Sequence, residues 1–272
     1  MIISPRKTFP MDETVVTVLT VAGFDPGAGA GVQADLRTFG WMGLYGLGAV
    51  AAVTAQNSQE VRQVFPTPAA ELEEQLRSIL DDFKPAAVKT GMLATAANAE
   101  QAAESLEALT KQAPLVVDPV LTSTTGANLG ARGLAATIRD RLAPLCRVIT
   151  PNLAEAAALT DRPVTTLSQA RDAAKALVAA GAGAACVTGG HLEGAPRDVL
   201  LDGDQLQILE GTRQGAGEFH GTGCLFSAAI TGLLAQGALL ADAVTGAKRI
   251  VERAAAAPAR PGSGLPVPWL RD

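Results

Sequence analysis

The feature that most limits how this chain can fold is an alternation. Short apolar runs recur along it, each followed by a longer stretch with apolar residues spaced at three and four. A short run without polar alternation suits a strand buried on both faces, and the three-and-four spacing suits a helix laid over it. Residues 15–22 form the first run, and 30–42 the first helix, with Val32, Leu36 and Phe39 on one face. Further strands are predicted over 45–55, 61–65, 86–89, 115–118, 147–150 and 184–188. Further helices are predicted over 68–82, 96–110, 130–142, 152–159, 167–180, 221–235 and 239–256. Residues 199–201 and 205–209 flank Asp202-Gly203, a hairpin signal. This rhythm specifies an α/β fold: a single domain with a mostly parallel central sheet and helices on both faces. On this reading 1–14 is an N-terminal extension, 15–257 the domain and 258–272 a Pro-rich C-terminal tail. Pro258 cannot continue the last helix.

Composition enters as a set of exclusions. Of 272 residues 48% are hydrophobic and 18% charged, which supplies one large core and rules out disorder. Lys+Arg 22 against Asp+Glu 27 leaves −5 at pH 7, so a nucleic-acid partner held by bulk charge is excluded. Cys146, Cys186 and Cys224 make neither a disulfide framework nor a Cys-x-x-Cys zinc pair. No apolar stretch reaches the ~20 residues of a membrane helix, and the first residues lack a signal-peptide pattern. The expectation is a soluble cytoplasmic protein with no membrane partner.

Ligands of such sheets gather at the carboxyl ends of the strands. The polar residues that follow the apolar runs are Asp25, Gln56, Asn57, Lys89, Asp118, Asn152 and the segment 189–191. Between the first strand and first helix lies Gly23-Phe24-Asp25-Pro26-Gly27-Ala28-Gly29-Ala30-Gly31, where glycine allows a ligand close to the backbone. It is no nucleotide P-loop, because no Lys stands where that motif needs one. A loose dinucleotide fingerprint fails on the second strand, which ends in Gln56-Asn57 with no acid between Asp35 and Glu60. A second loop runs from Gly215 to Cys224 and opens an apolar helix. There the amides of Gly221, Thr222, Gly223 and Cys224 make an anion hole for charge on a phosphoryl group in transfer, and Cys224 is placed to take a hydroxyl proton. Asn152 and Glu155 have the spacing of a capping box. His191 and His220 are the two histidines and have no metal-ligand spacing; His220 reads as a loop or pocket-shaping residue.

Seven segments in order carry a resemblance. They are 22–36, Thr54-Ala55-Gln56-Asn57, Lys89-Thr90-Gly91-Met92-Leu93, Val116-Val117-Asp118-Pro119-Val120, Thr150-Pro151-Asn152-Leu153-Ala154-Glu155-Ala156, Gly189-Gly190-His191-Leu192 and His220-Gly221-Thr222-Gly223-Cys224. Together the chain resembles the hydroxymethylpyrimidine/phosphomethylpyrimidine kinases of thiamine biosynthesis, in the ribokinase-like superfamily. The resemblance implies ATP-dependent phosphorylation of 4-amino-5-hydroxymethyl-2-methylpyrimidine and of its monophosphate, with ATP as co-substrate and Mg²⁺ as cofactor. It implies that Gln56 pairs with the aminopyrimidine edge and that Asp35 holds hydroxymethyl or ring polar groups. Gly23, Thr54, Met92 and Val120 would line the pyrimidine pocket. Asn152, Glu155, Thr188 and Gly190 would bind the nucleotide, Asp118 and Glu155 the metal. Cys224 would be the base, with Gly221, Thr222 and Gly223 as the anion hole. It further implies a homodimer. Two positions where the family carries lysine are Thr124 and Thr188 here, and Phe24 and Phe219 replace polar residues. Pyridoxal kinase activity is the alternative, and a binding protein that keeps the pocket without catalysis is the other.

Overall fold

The structure is a computed structural model that describes residues 15–122, 132–190, 192, 194–212 and 219–271. The expected strands form one nine-stranded sheet among the described residues. They are β1 (Thr17–Phe24), β2 (Tyr45–Gln56), β3 (Val61–Pro66), β4 (Ala87–Thr90), β5 (Leu115–Val117), β6 (Val148–Ile149), β7 (Ala184–Val187), β8 (Arg197–Asp202) and β9 (Gln205–Glu210), in the spatial order β3-β2-β1-β4-β5-β6-β7-β8-β9. The run from β2 to β7 is parallel, and β3, β8 and β9 are antiparallel additions at the two edges. Chain direction across the sheet reverses between β1 and β4, which opens a crevice outside their carboxyl ends.

Helices cover both faces: α1 (Gly31–Trp41), α2 (Ala69–Asp82), α3 (Ala96–Thr110), α4 (Leu134–Thr137), α5 (Leu153–Thr160), α6 (Leu167–Ala179), α7 (Thr222–Ala235) and α8 (Leu240–Ala256). Strand residues alternate between two cores. Leu115 and Val117 pack with Leu72, Leu106 and Leu177 of α2, α3 and α6, while Val116 faces Phe226, Ile230 and Val244 of α7 and α8. A third cluster joins Phe39 of α1 to Val18 and Ala228.

Three boundaries differ from the sequence reading. The helix expected over 130–142 begins at Leu134 and passes at Ile138 into a π turn, then a 3₁₀ turn at Ala143–Leu145. Gly133, at φ 87°, starts it late, and Pro144 removes an amide from its end. β5 stops at Val117, so Asp118 lies just beyond the strand. β4 extends through Thr90, so Lys89 is a strand residue with its side chain wholly buried. After α8 the chain does not continue as helix. It folds back, with Ala259 and Val267 bridged, the Pro266 carbonyl accepting from the His220 amide at 2.9 Å, and Trp269 beneath the Arg37 guanidinium at 5.1 Å.

Candidate active site

The crevice outside the carboxyl ends is a cavity of about 1070 Å³. Residues just after β1, β4, β5, β6 and β7 form its floor, and α7 and α8 one wall. Gly23, Thr54, Gln56, Met92, Val120, Asp118, Asn152, Glu155, Thr188, Gly190, Gly221, Thr222, Gly223 and Cys224 all line it. Asp35 alone among the sequence-chosen site residues does not. Thr124, His191 and the 215–218 part of the second loop lie outside the described residues.

Asp35 is wholly buried beneath the floor. Its Oδ2 accepts from Lys89 Nζ at 2.9 Å and from Thr20 Oγ1 at 2.7 Å. The reading of Asp35 as a direct ligand of the substrate is therefore corrected to a partner of Lys89, which does reach the cavity. The reason is geometric: Asp35 sits on the face of α1 that packs against β1 and β4, turned away from the crevice. Lys89 Nζ also lies 3.9 Å from Asp118 Oδ2. Burial alone would depress the ammonium, but the charges of Asp35, Cys224 and Asp118 outweigh it and hold Lys89 above the ordinary lysine range.

The first glycine loop is organised by Asp25, whose burial leaves 4% exposed. Its carboxylate accepts from the amides of Gly27 at 2.8 Å, Gly29 at 3.1 Å and Ala30 at 3.0 Å, capping α1 where Ala30 offers no side chain. Its Oδ2 is also 3.0 Å from Nε2 of His220, which lies 3.1 Å from Nε2 of Gln56. The two glycine loops dock by close approach. A Cβ on Gly29 would strike the His220 ring, and one on Gly221, at φ 87°, would strike the Gly29 carbonyl.

Gly221 precedes the first turn of α7, so the amides of Thr222 to Cys224 begin the helix without a side-chain cap. Cys224 is half-buried. Burial pushes its thiol up to about 12, with Asp118 and Asp35 adding to the rise and Lys89 and the Gly31 amide opposing it. Asp118 accepts from Ser227 Oγ at 2.8 Å, which ties it to α7. Asn152 and Glu155 do form a capping box on α5, each side chain bonded to the other's amide at 2.9 Å. Burial, then the Asp118 charge, pushes the Glu155 carboxyl up to about 8. Among the described residues no group of three or more His, Cys, Asp or Glu is placed to hold a metal.

The third wall was missed in the sequence. Lys248 of α8 donates to Asp198 of β8 at 2.5 Å, and Asp198 in turn accepts from the Gly189 amide at 2.9 Å. Lys89 and Lys248 are the cations among the described lining residues. The interior of α8 carries no glycine-rich or strand-end signal that would have singled Lys248 out. Asp198 sits in the hairpin, away from the parallel strands. A floor of strand ends, amides at a helix start, a thiol and two buried carboxylates suits transfer of an anionic group to a hydroxyl.

Comparison with known proteins agrees. A family model described as phosphomethylpyrimidine kinase matches residues 25–268. The hydroxymethylpyrimidine/phosphomethylpyrimidine kinase of Streptomyces coelicolor is 42% identical over 248 residues, covering 91% of each chain. An ADP complex of Bacillus subtilis pyridoxal kinase superposes with a TM-score of 0.85 at 35% identity, covering 93% of this chain and 96% of that one. The phosphomethylpyrimidine kinase of Clostridium difficile superposes at 0.76 with 31% identity, covering 87% and 97%.

Proposed function

The chain belongs to the phosphomethylpyrimidine kinase family, and from that premise we propose that it phosphorylates 4-amino-5-hydroxymethyl-2-methylpyrimidine and then its monophosphate, with ATP as donor. The single observation that carries this is the meeting, in one cavity, of Gln56 and Met92 with the Gly221–Cys224 loop. The first pair belongs to ring recognition and the loop to phosphoryl transfer. A side-chain amide pairs with a ring nitrogen and an adjacent amine together.

The chemistry follows from what the residues can do. The acceptor oxygen forms a bond to the γ-phosphorus, the bond to the β–γ bridging oxygen breaks, and ADP leaves. Amides at the start of α7 stabilise charge on the equatorial oxygens, so positioning and electrostatics do most of the work. The hydroxyl proton passes to Cys224 as thiolate. Burial, Asp118 and Asp35 oppose that form, and the Lys89 ammonium favours it. Asp118 and Glu155 fit Mg²⁺, a cation that keeps most of its waters and needs few protein oxygens. Their burial beside one another supports a positive partner there. When bound, the ion neutralises charge on the nucleotide phosphates. Asn152, Thr188 and Gly190 line the nucleotide end, with Lys248 and Asp198 shaping the Gly189 turn.

Pyridoxal is the second reading, favoured by the 0.85 superposition on a pyridoxal kinase. A homodimer and a cytoplasmic location complete the proposal. Exposed Tyr45, Val53 and Phe65 on the β2–β3 edge support the first, and no helix of the described residues is long and apolar enough to cross a membrane.

The test is ATP consumption with the pyrimidine alcohol, its monophosphate and pyridoxal, alongside calorimetric binding of each. Turnover of both pyrimidines is expected. Turnover of pyridoxal alone would replace the acceptor, and tight pyrimidine binding without turnover would make this a binding protein. Cys224→Ala is expected to lower kcat at least ~100-fold, the scale of a lost general base, while sparing pyrimidine affinity.

A further inference from the structure

Gln56, His220 and Asp25 form a chain that phosphoryl transfer does not use. Nε2 of His220 lies 3.0 Å from Asp25 Oδ2 and 3.1 Å from Gln56 Nε2. One imidazole nitrogen carries either a hydrogen or a lone pair toward its neighbours, not both. Asp25 is a carboxylate. Burial opposes its charge, but His220 and the Gly27 and Ala30 amides outweigh burial and hold it below the usual range. A carboxylate oxygen only accepts, so the hydrogen belongs on Nε2, aimed at Oδ2. The other tautomer would set a lone pair against that oxygen.

With a hydrogen on Nε2, an amide NH₂ facing it would set donor against donor. The two ends of the Gln56 amide are nearly the same size, so the amide takes the orientation the network allows. That places Oε1 against Nε2–H in a three-centre bond and turns the NH₂ toward the cavity. We infer that His220 is a positioning residue for acceptor recognition: locked by Asp25, it fixes the order of donor and acceptor that Gln56 offers to the ring. The NH₂ then reaches a ring nitrogen, and the second lone pair of Oε1 is left for an exocyclic amine.

Two independent contacts hold the imidazole for this task. Gly29 lacks the Cβ that would overlap the ring, and the Pro266 carbonyl accepts from the His220 amide at 2.9 Å. The inference rests on the reading above that the cavity takes a heteroaromatic alcohol.

The experiment is a double-mutant cycle on the full chain, with wild type, His220→Asn, Gln56→Ala and the double variant, plus His220→Gln as conservative rescue. Glutamine carries an N–H near the reach of Nε2, and asparagine does not. The readouts are KM and kcat for the pyrimidine alcohol and for pyridoxal, and KM for ATP. His220→Asn is expected to raise the acceptor KM about tenfold, the scale of one hydrogen bond, with the ATP KM within about twofold. His220→Gln should recover most of that loss. The double variant should be no worse than Gln56→Ala, because His220 acts through Gln56. Additive effects, or an equal rise in the ATP KM, would overturn the inference, the latter making His220 a support for the Gly221 loop. A wild type active on pyridoxal alone would sink the acceptor reading and leave the cycle to be run on pyridoxal.

Discussion

Lys89 is a fully buried ammonium, tolerated because Asp35 stands 2.9 Å from it and Asp118 3.9 Å away. Lys89→Met would strand the Asp35 carboxylate in the core, and a broken buried pair loses about 3–5 kcal/mol. Chemical denaturation checks this, and replacing both partners by apolar residues should lose far less. Cys224 makes a second residue-scale expectation. A thiol pushed up to about 12 keeps its proton at neutral pH, and its thiolate fraction grows tenfold per pH unit below that value. The acceptor kcat/KM should therefore climb from pH 7 to pH 9 without levelling off. A plateau below pH 8 would remove Cys224 as the titrating base. At this scale the sequence is legible where a residue sits inside a local motif, as Gln56 and Cys224 do. It is illegible where the partner is remote. Lys89 reads as a strand-end cation, but Asp35 is 54 residues away, and only the packing of α1 over β4 unites them.

At the scale of elements, the two glycine loops act as one device. Gly221 presses on the Gly29 carbonyl with a left-handed backbone, so Gly221→Ala meets both a strained φ and a backbone clash. A loss of about 2–3 kcal/mol, seen as a lower Tm, is expected together with weaker binding of both substrates, since the loops serve both. The glycine-rich composition of each loop was plain in the sequence, and so were the strands, because a buried parallel strand is written as an unbroken apolar run. The mutual docking was not, since it depends on which loops the sheet order brings together. The π turn at Ile138–Leu142 was hidden for a different reason. Its residues keep a helical apolar spacing, and the pattern does not report a change in backbone hydrogen bonding.

Across the whole molecule, the Pro-rich segment after α8 straps the acceptor end. Arg37, held over Trp269, donates to the Ala28 carbonyl at 2.8 Å, and Leu265 and Gly264 bond to Ser58 beyond β2. Deleting 259–272 is expected to cost on the order of 2 kcal/mol from these contacts. That is a Tm drop of roughly 4–8 °C. The acceptor KM should rise while the ATP KM holds, because Lys248, Asp198 and Gly190 do not touch the strap. Thermal melts and steady-state kinetics check both halves. Net charge of −5 excluded a broad basic face, and the structure shows why phosphate chemistry survives it: cations are few, and helix-start amides take their place. The contact between Asp25 and His220 closes a span of 195 residues. A chain cut anywhere within that span leaves neither fragment with a working recognition wall. Ligand affinity is therefore a gauge of global folding, and by mass action a bound acceptor shields the entire sheet, not one lobe, against protease and denaturant.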